Sequence, residues 1–173
     1  MKEIHLPLTG TEDLAAGDAV KLTGTLYVAR DQAHQRLARL LRDRQPLPIP
    51  LQGETIYYMG PTPTPPGQVI GSCGPTTAGR MDAFTPALLE GGLRGMIGKG
   101  GRSPAVVEAI QQHGAIYFHA YGGCGALYAQ CVKSCRVAAF EDLGPEAILQ
   151  LEVENFPVVV SIDRQGTVFP APL

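Results

Sequence analysis

Charge is scarce in this sequence. Asp, Glu, Lys and Arg make up only 17% of the 173 residues, and the formal net charge is −2. A nucleic-acid binder needs a basic surface to neutralise phosphates, so this balance argues against that class. No apolar run approaches the roughly 20 residues of a membrane span, so no membrane is expected as a partner. The opening MKEIHLPLTG has one Lys, then acidic and polar residues, and lacks the apolar stretch of a secretory signal. The expected location is cytoplasmic. Disorder is argued against by the 45% of hydrophobic residues, enough for a core.

Metal-ligand spacing is also missing. The four cysteines are Cys73, Cys124, Cys131 and Cys135. Metal and cluster sites want thiolates in short answering pairs. Only Cys131 and Cys135 lie close together, and no second pair answers them. His5, His34, His113 and His119 fall at no ligand spacing. Reduced, buried small hydrophobes are the expectation, with no metal held by this chain alone. Nucleotide loops are absent too. Gly98-Lys99 is followed by Gly100 rather than Ser or Thr, and Leu93 stands where a phosphate-binding loop needs its first glycine. No G-x-G-x-x-G joins a strand to a helix.

What is abundant is glycine and proline, 21 and 15 residues, together more than a fifth of the chain. They are not periodic. They cluster between apolar runs and imply many tightly shaped loops, where binding groups are commonly mounted. Strands are expected over residues 4–8, 18–29 (with Gly24 as a bulge or close approach), 55–59, 68–72, 93–97, 115–120, 137–140 and 156–162. Helices are expected over 31–44, 81–90, 103–113 and 126–132. Asp31 is placed to cap the first, Pro46 to stop it, and Ser103-Pro104 to start the third. Residues 163–166 suit the turn of a closing hairpin. The sum is a mixed α/β single domain spanning 1–173.

Three strand-to-loop junctions carry cations or hydroxyls beside glycines. YVARDQAH holds Arg30 and His34. GSCGPTTAGRMD holds Thr76, Thr77 and Arg80. GMIGKGGRS holds Lys99 and Arg102. Each junction follows an expected strand and precedes a helix, so it presents backbone N–H groups to an anion. Arg adds a planar fork suited to a carboxylate and Lys a compact charge. Taken singly, each has an ordinary reading: a solvated cap, a glycine turn, a loop lysine, a core histidine. Their joint occurrence points to a small polyanion, better a carboxylate than a nucleotide phosphate. No Ser/His/Asp set and no carboxylate pair accompanies them, so the site is expected to be completed by a partner chain.

The stretches GDAVKLTGTLYVARDQAHQR, TIYYMGPTPTPPG, GSCGPTTAGRMD, IGKGGRS and LEVENFPVVVSID span nearly the whole chain. In them the sequence resembles the β-subunit, equivalent to the C-terminal domain, of class I iron–sulfur fumarases and the related L-tartrate dehydratases. ARD-x-AH and GPTTAGRMD look more like the fumarase branch. The resemblance implies a swivelling β/β/α domain, a fumarate–malate hydro-lyase of citric acid cycle type, and an α-subunit with which it forms a heterotetramer. It implies a 4Fe–4S cluster held by that α-subunit and not by this chain. It implies that Arg30, Arg80 and Lys99 hold substrate carboxylates, that Thr76 is the catalytic base, and that His34 and Thr77 lie near the pocket. Two positions depart from the family pattern. Cys124-Gly125 stands where fumarases tend to have Pro and a small apolar residue, and Cys73 sits inside GSCGPTT, either near the pocket or packed. L-tartrate dehydration, or binding of a dicarboxylate without catalysis, are the alternatives.

Overall fold

The computed structural model describes residues 1–170, so the last three positions of the expected domain lie outside the described residues. The chain runs β1 (Lys2–Leu6), β2 (Ala19–Val28), α1 (Asp31–Arg42), β3 (Thr55–Tyr57), a 3₁₀ turn (Ala78–Met81), α2 (Thr85–Glu90), β4 (Gly95–Gly98), α3 (Pro104–His113), β5 (Ile116–His119), α4 (Gly125–Cys131), β6 (Val132–Ala139), a 3₁₀ segment (Glu141–Glu146) and β7 (Ile148–Ile162). The result is a mixed α/β domain, as the alternation of strands, glycine loops and helices predicts.

One sheet has the order β1-β2-β3-β4-β5-β7-β6. β1 to β5 pair in parallel, and β7 runs antiparallel to its neighbours. β7 also pairs with β2 along most of its length. The strands β2, β3, β4, β5 and β7 therefore form a closed hydrogen-bonded circuit. β4 and β5 are buried at every residue, as parallel strands covered on both faces must be. Neighbouring residues on them serve two apolar cores. Tyr57, Ile97 and Phe118 join Leu22, Val160 and Tyr128 on the face turned away from α1 to α3. Ile56, Met96 and Tyr117 join Leu37, Leu88 and Ile110 beneath those helices. Burying each such side chain contributes about 1.5–3 kcal/mol, so both cores hold the strand ends in place.

Several local expectations hold. Ser103 caps α3, its side chain accepting from the Val106 amide at 3.4 Å, with Pro104 in the first turn. Gly24 (φ +130°) marks a register shift in the β2–β7 ladder and faces the Leu6 carbonyl too closely for a side chain. The Asp163 turn closes the hairpin, with Gln165 N–H donating to Asp163 Oδ1 at 2.9 Å.

Others are corrected. Residues 68–72 form no strand, because the Thr62 hydroxyl accepts the Ser72 amide and the Ser72 carbonyl accepts the Thr62 amide, which holds the segment as a folded loop. The helix expected over 81–90 is divided into the 3₁₀ turn and α2. Arg30, not Asp31, is the N-cap of α1. β6 begins at Val132, well before the expected start at Val137. β7 is a strand of 15 residues of which only the second half is legible. Asn155 and Pro157 are residue types that disfavour an unbroken strand. The pairing absorbs them: Asn155 takes a left-handed φ of 53° at the bulge and donates its N–H to Thr23 Oγ1 at 3.1 Å.

Candidate functional site

Parallel pairing puts the carboxyl ends of β2, β3, β4 and β5 at one end of the sheet, where α/β folds, open or closed, place their ligands. The segment 75–78 enters that end as a wedge. Thr76 N–H donates to the Tyr58 carbonyl (2.8 Å), Lys99 N–H to the Thr76 carbonyl (3.2 Å), and Ala78 N–H to the Lys99 carbonyl (2.9 Å). Thr76 thus lies between the chain leaving β3 and the chain leaving β4. A side chain at Gly98 would stand 2.8 Å from the Tyr58 ring and 3.1 Å from Ala78 Cβ, so only glycine lets the wedge in. Thr76 Oγ1 is buried and has no hydrogen-bond partner among the described residues. Thr77 is exposed.

Arg30 follows β2 and is half-buried. Its guanidinium lies against the chain after β3: a Cβ at Gly60 would be 2.7 Å from Arg30 Cζ. It donates to the Pro145 carbonyl at 3.5 Å, a weak contact. Arg80 reaches the same loop through its ion pair with Asp31, at 2.8 Å and about half exposed on both sides. Lys99 is half-buried, its stem over Gly122, and its ammonium makes no ion pair among the described residues. The structure therefore brings Arg30, Thr76 and Lys99 to neighbouring strand ends, with Arg80 joined to them through Asp31.

Two residues of the basic loops turn inward instead. The Arg102 side chain is fully buried. Its Nε donates to Asp82 Oδ1 at 2.7 Å and its Nη2 to Thr85 Oγ1 at 2.8 Å and Tyr58 OH at 3.3 Å. The rings of Tyr58 and Tyr117 flank it at 5.3 and 4.9 Å. Burial works against its charge, yet Tyr58 and Asp82 together hold the guanidinium pKa above its ordinary value. Arg102 is thus a brace and not a pocket cation. Asp82 and Tyr58 went unassigned in the sequence, although both stand inside motifs quoted above. An Asp at the end of GPTTAGRMD facing a cation in the next glycine loop was the available signal.

His34 is also fully buried, which moves it out of the pocket. Its Nδ1 lies 2.8 Å from the Arg30 carbonyl and its ring meets Tyr58 edge-on at 5.3 Å. Burial pushes its pKa down to about 4, although the bond to Arg30 pulls the other way. The unfolded chain takes up this proton near pH 6.5 and the folded chain only near pH 4. Stability contributed by neutral His34 is complete above that window. It is lost as pH falls through it, by about 3 kcal/mol in all. Denaturation midpoints between pH 7 and 4 should slope accordingly, and His34→Leu should flatten the slope. An equal slope in both proteins refutes the assignment.

Cys73 belongs to the core. It is completely buried, its thiol donates to the Gly71 carbonyl at 3.2 Å, and burial raises its pKa to about 12. A thiol reagent should label Cys124, Cys131 and Cys135, which are half-buried, and leave Cys73 unmodified until the chain unfolds. Mass mapping of the labelled peptides checks this. Among the described residues no group of three or more His, Cys, Asp or Glu is placed to hold a metal. Cys73, packed inside the core, is not placed as a ligand.

The chain is an α/β domain with two arginines, a lysine and a buried hydroxyl gathered near the carboxyl ends of its parallel strands. It belongs to the Fumarase C-terminus family, whose model matches residues 4–171. It is 41% identical to the anaerobic class I fumarate hydratase of Escherichia coli over 98% of its length and 31% of that protein's. It is 42% identical to the mitochondrial fumarate hydratase 1 of Leishmania major over 87% of its length and 28% of that protein's. The chain thus spans about three tenths of the fumarate hydratases it matches. A Methanocaldococcus jannaschii protein provisionally named L(+)-tartrate dehydratase subunit beta is 36% identical over 88% of this chain and 82% of its own length.

Proposed function

We propose that this chain is the carboxylate-holding part of a hydratase that interconverts fumarate and L-malate, in a site completed by a separate cluster-bearing α-type chain. The observation that carries the reading is the buried, unpartnered Thr76 hydroxyl set between strand ends that also present Arg30 and Lys99. Adding water to fumarate delivers a proton to the carbon beside a carboxylate, and removing water from malate takes it away. Negative charge builds on that carboxylate in the transition state. Fixed cations aimed at it stabilise it at no cost of reorganisation. Arg30, Arg80 and Lys99 are assigned that role, with Thr77 at the exposed rim.

Thr76 is assigned the proton transfer. A hydroxyl is a weak base at its ordinary pKa, and a neighbouring cation favours its ionised form. Lys99 is the cation bound, backbone to backbone, to Thr76. The iron–sulfur cluster of this reading belongs to the partner. The chain acts as one domain swivelling against that partner, inactive alone, in a cytoplasmic heterotetramer.

A second reading has one observation in its favour: a relative that matches this chain over most of its own length carries a tartrate dehydratase name. One anaerobic experiment tests both. The chain is produced alone and with the α-type chain, the cluster is reconstituted, and fumarate hydration and L-tartrate dehydration are followed. Fumarate turnover by the pair alone is expected. Tartrate turnover without fumarate turnover selects the second reading, and turnover of neither overturns both.

A further inference from the structure

A fully buried histidine with one nitrogen unused needs a reason. His34 Nε2 is buried and has no hydrogen-bond partner among the described residues, and such a group costs stability that an apolar side chain of similar size does not. The other nitrogen is engaged. A carbonyl accepts, so Nδ1 carries the proton and donates it to the Arg30 carbonyl at 2.8 Å. That carbonyl already accepts the His34 backbone amide at 2.9 Å, so the helix bond does not depend on the ring.

Arg30 is an unusual N-cap. That position favours short side chains that bond back to the first turn, whereas Arg30 makes no such bond. Its guanidinium is instead extended across Gly60. The backbone that aims it (φ −119°, ψ −155°) is fixed from the carbonyl side, by two donors from His34. The His34 ring is in turn seated edge-on against Tyr58, whose own carbonyl receives the Thr76 amide. One side chain therefore ties the loop of Arg30 to the segment that carries Thr76.

We infer that His34 is a positioning residue, which sets Arg30 against Gly60 and in register with Thr76, and that its unsatisfied nitrogen is retained for this purpose. The inference rests on the hydratase reading for what Arg30 then does. Misplacing a group that orients substrate costs rate out of proportion to the displacement.

The test uses the chain paired with its α-type partner. His34→Leu removes the donor and the buried orphan nitrogen together. His34→Asn keeps a donor near the Nδ1 position. For His34→Leu the expected result is a melting temperature at pH 7 equal to or above native, with kcat/KM lowered by about tenfold or more. Its crystal structure should show the Arg30 guanidinium displaced from Gly60. His34→Asn should recover most of the activity. If His34→Leu does not accumulate as folded protein, His34→Asn against His34→Gln carries the same contrast, with Asn the more active.

Unchanged kcat/KM in His34→Leu, with Arg30 still on Gly60, overturns the inference, as does a loss of activity in both variants that merely tracks their melting temperatures. If the native pair turns over neither fumarate, malate nor tartrate, the hydratase reading fails by itself. The position of Arg30 in the variant's crystal structure then still decides the role of His34.

Discussion

In the assembled pair, Arg30→Ala, Arg80→Ala and Lys99→Ala are each expected to lower turnover by about 10²–10³-fold, the usual loss when one preorganised group is taken from a developing charge. None should unfold the domain. Arg30 and Lys99 are half-buried and Arg80 is exposed, and none sits in either apolar core. The three should not be equal. Arg80 is held by Asp31 in a solvent-exposed pair, so part of its charge is already answered. Lys99 has no ion-pair partner among the described residues, and its backbone N–H and carbonyl are both bonded to the segment that carries Thr76. Lys99→Ala is expected to cost the most. Steady-state kinetics of the three variants, with melting curves as the control for folding, checks the ranking. Less than tenfold loss at all three would falsify the site.

The largest expected loss of stability lies further along the same loop. Arg102→Ala, or Asp82→Ala, should destabilise the domain by about 3–5 kcal/mol, because each strands a buried charge without its partner. The Arg102 side chain is fully buried and that of Asp82 nearly so. Asp82 Oδ2 also receives the Ser103 amide at 2.7 Å, so its removal frees the start of α3. The comparison that gives this meaning is Arg36–Asp142. That pair is bidentate at 2.8 and 2.9 Å, but Asp142 is 66% exposed. Asp142→Ala should therefore cost no more than about 1 kcal/mol. Urea denaturation of the three variants decides it. Similar losses for the buried and the exposed pair would show that burial does not set the value of Arg102.

Lys99 and Arg102, one from each expectation, share one glycine loop, GKGGR. As a sequence they are indistinguishable: both follow a strand, both adjoin glycines, both precede a helix. The fold separates them. Lys99 stays at the strand end because the wedge at Thr76 bonds its backbone there. Arg102 is drawn under α3 because Asp82, Thr85 and two tyrosine rings converge on it. Of those partners Thr85, Asp82 and Tyr58 stand 17, 20 and 44 residues away in the chain. His34 bonds the Arg30 carbonyl only four residues back, but the Tyr58 ring that seats it comes from the chain after β3.

Features settled within a few residues are legible in the amino-acid sequence by itself. The Ser103-Pro104 helix start, the Asp163 turn and most of the order of strands and helices each depend on local sterics and local hydrogen bonds. So is the placing of Arg30 and Lys99 just after strands, since parallel strand direction carries such positions to one end of the sheet; the Thr76 segment follows no strand and reaches that end only through its bonds to Tyr58 and Lys99. Features that depend on distant chain are not. β7 is a single long strand because β2, β5 and β6 supply partners that carry it past Asn155 and Pro157. The circuit of strands closes because β7 returns to β2. Which cation stays at the strand ends and which is walled in follows from that closure, for burial is a property of what packs from elsewhere and not of the residue or its neighbours.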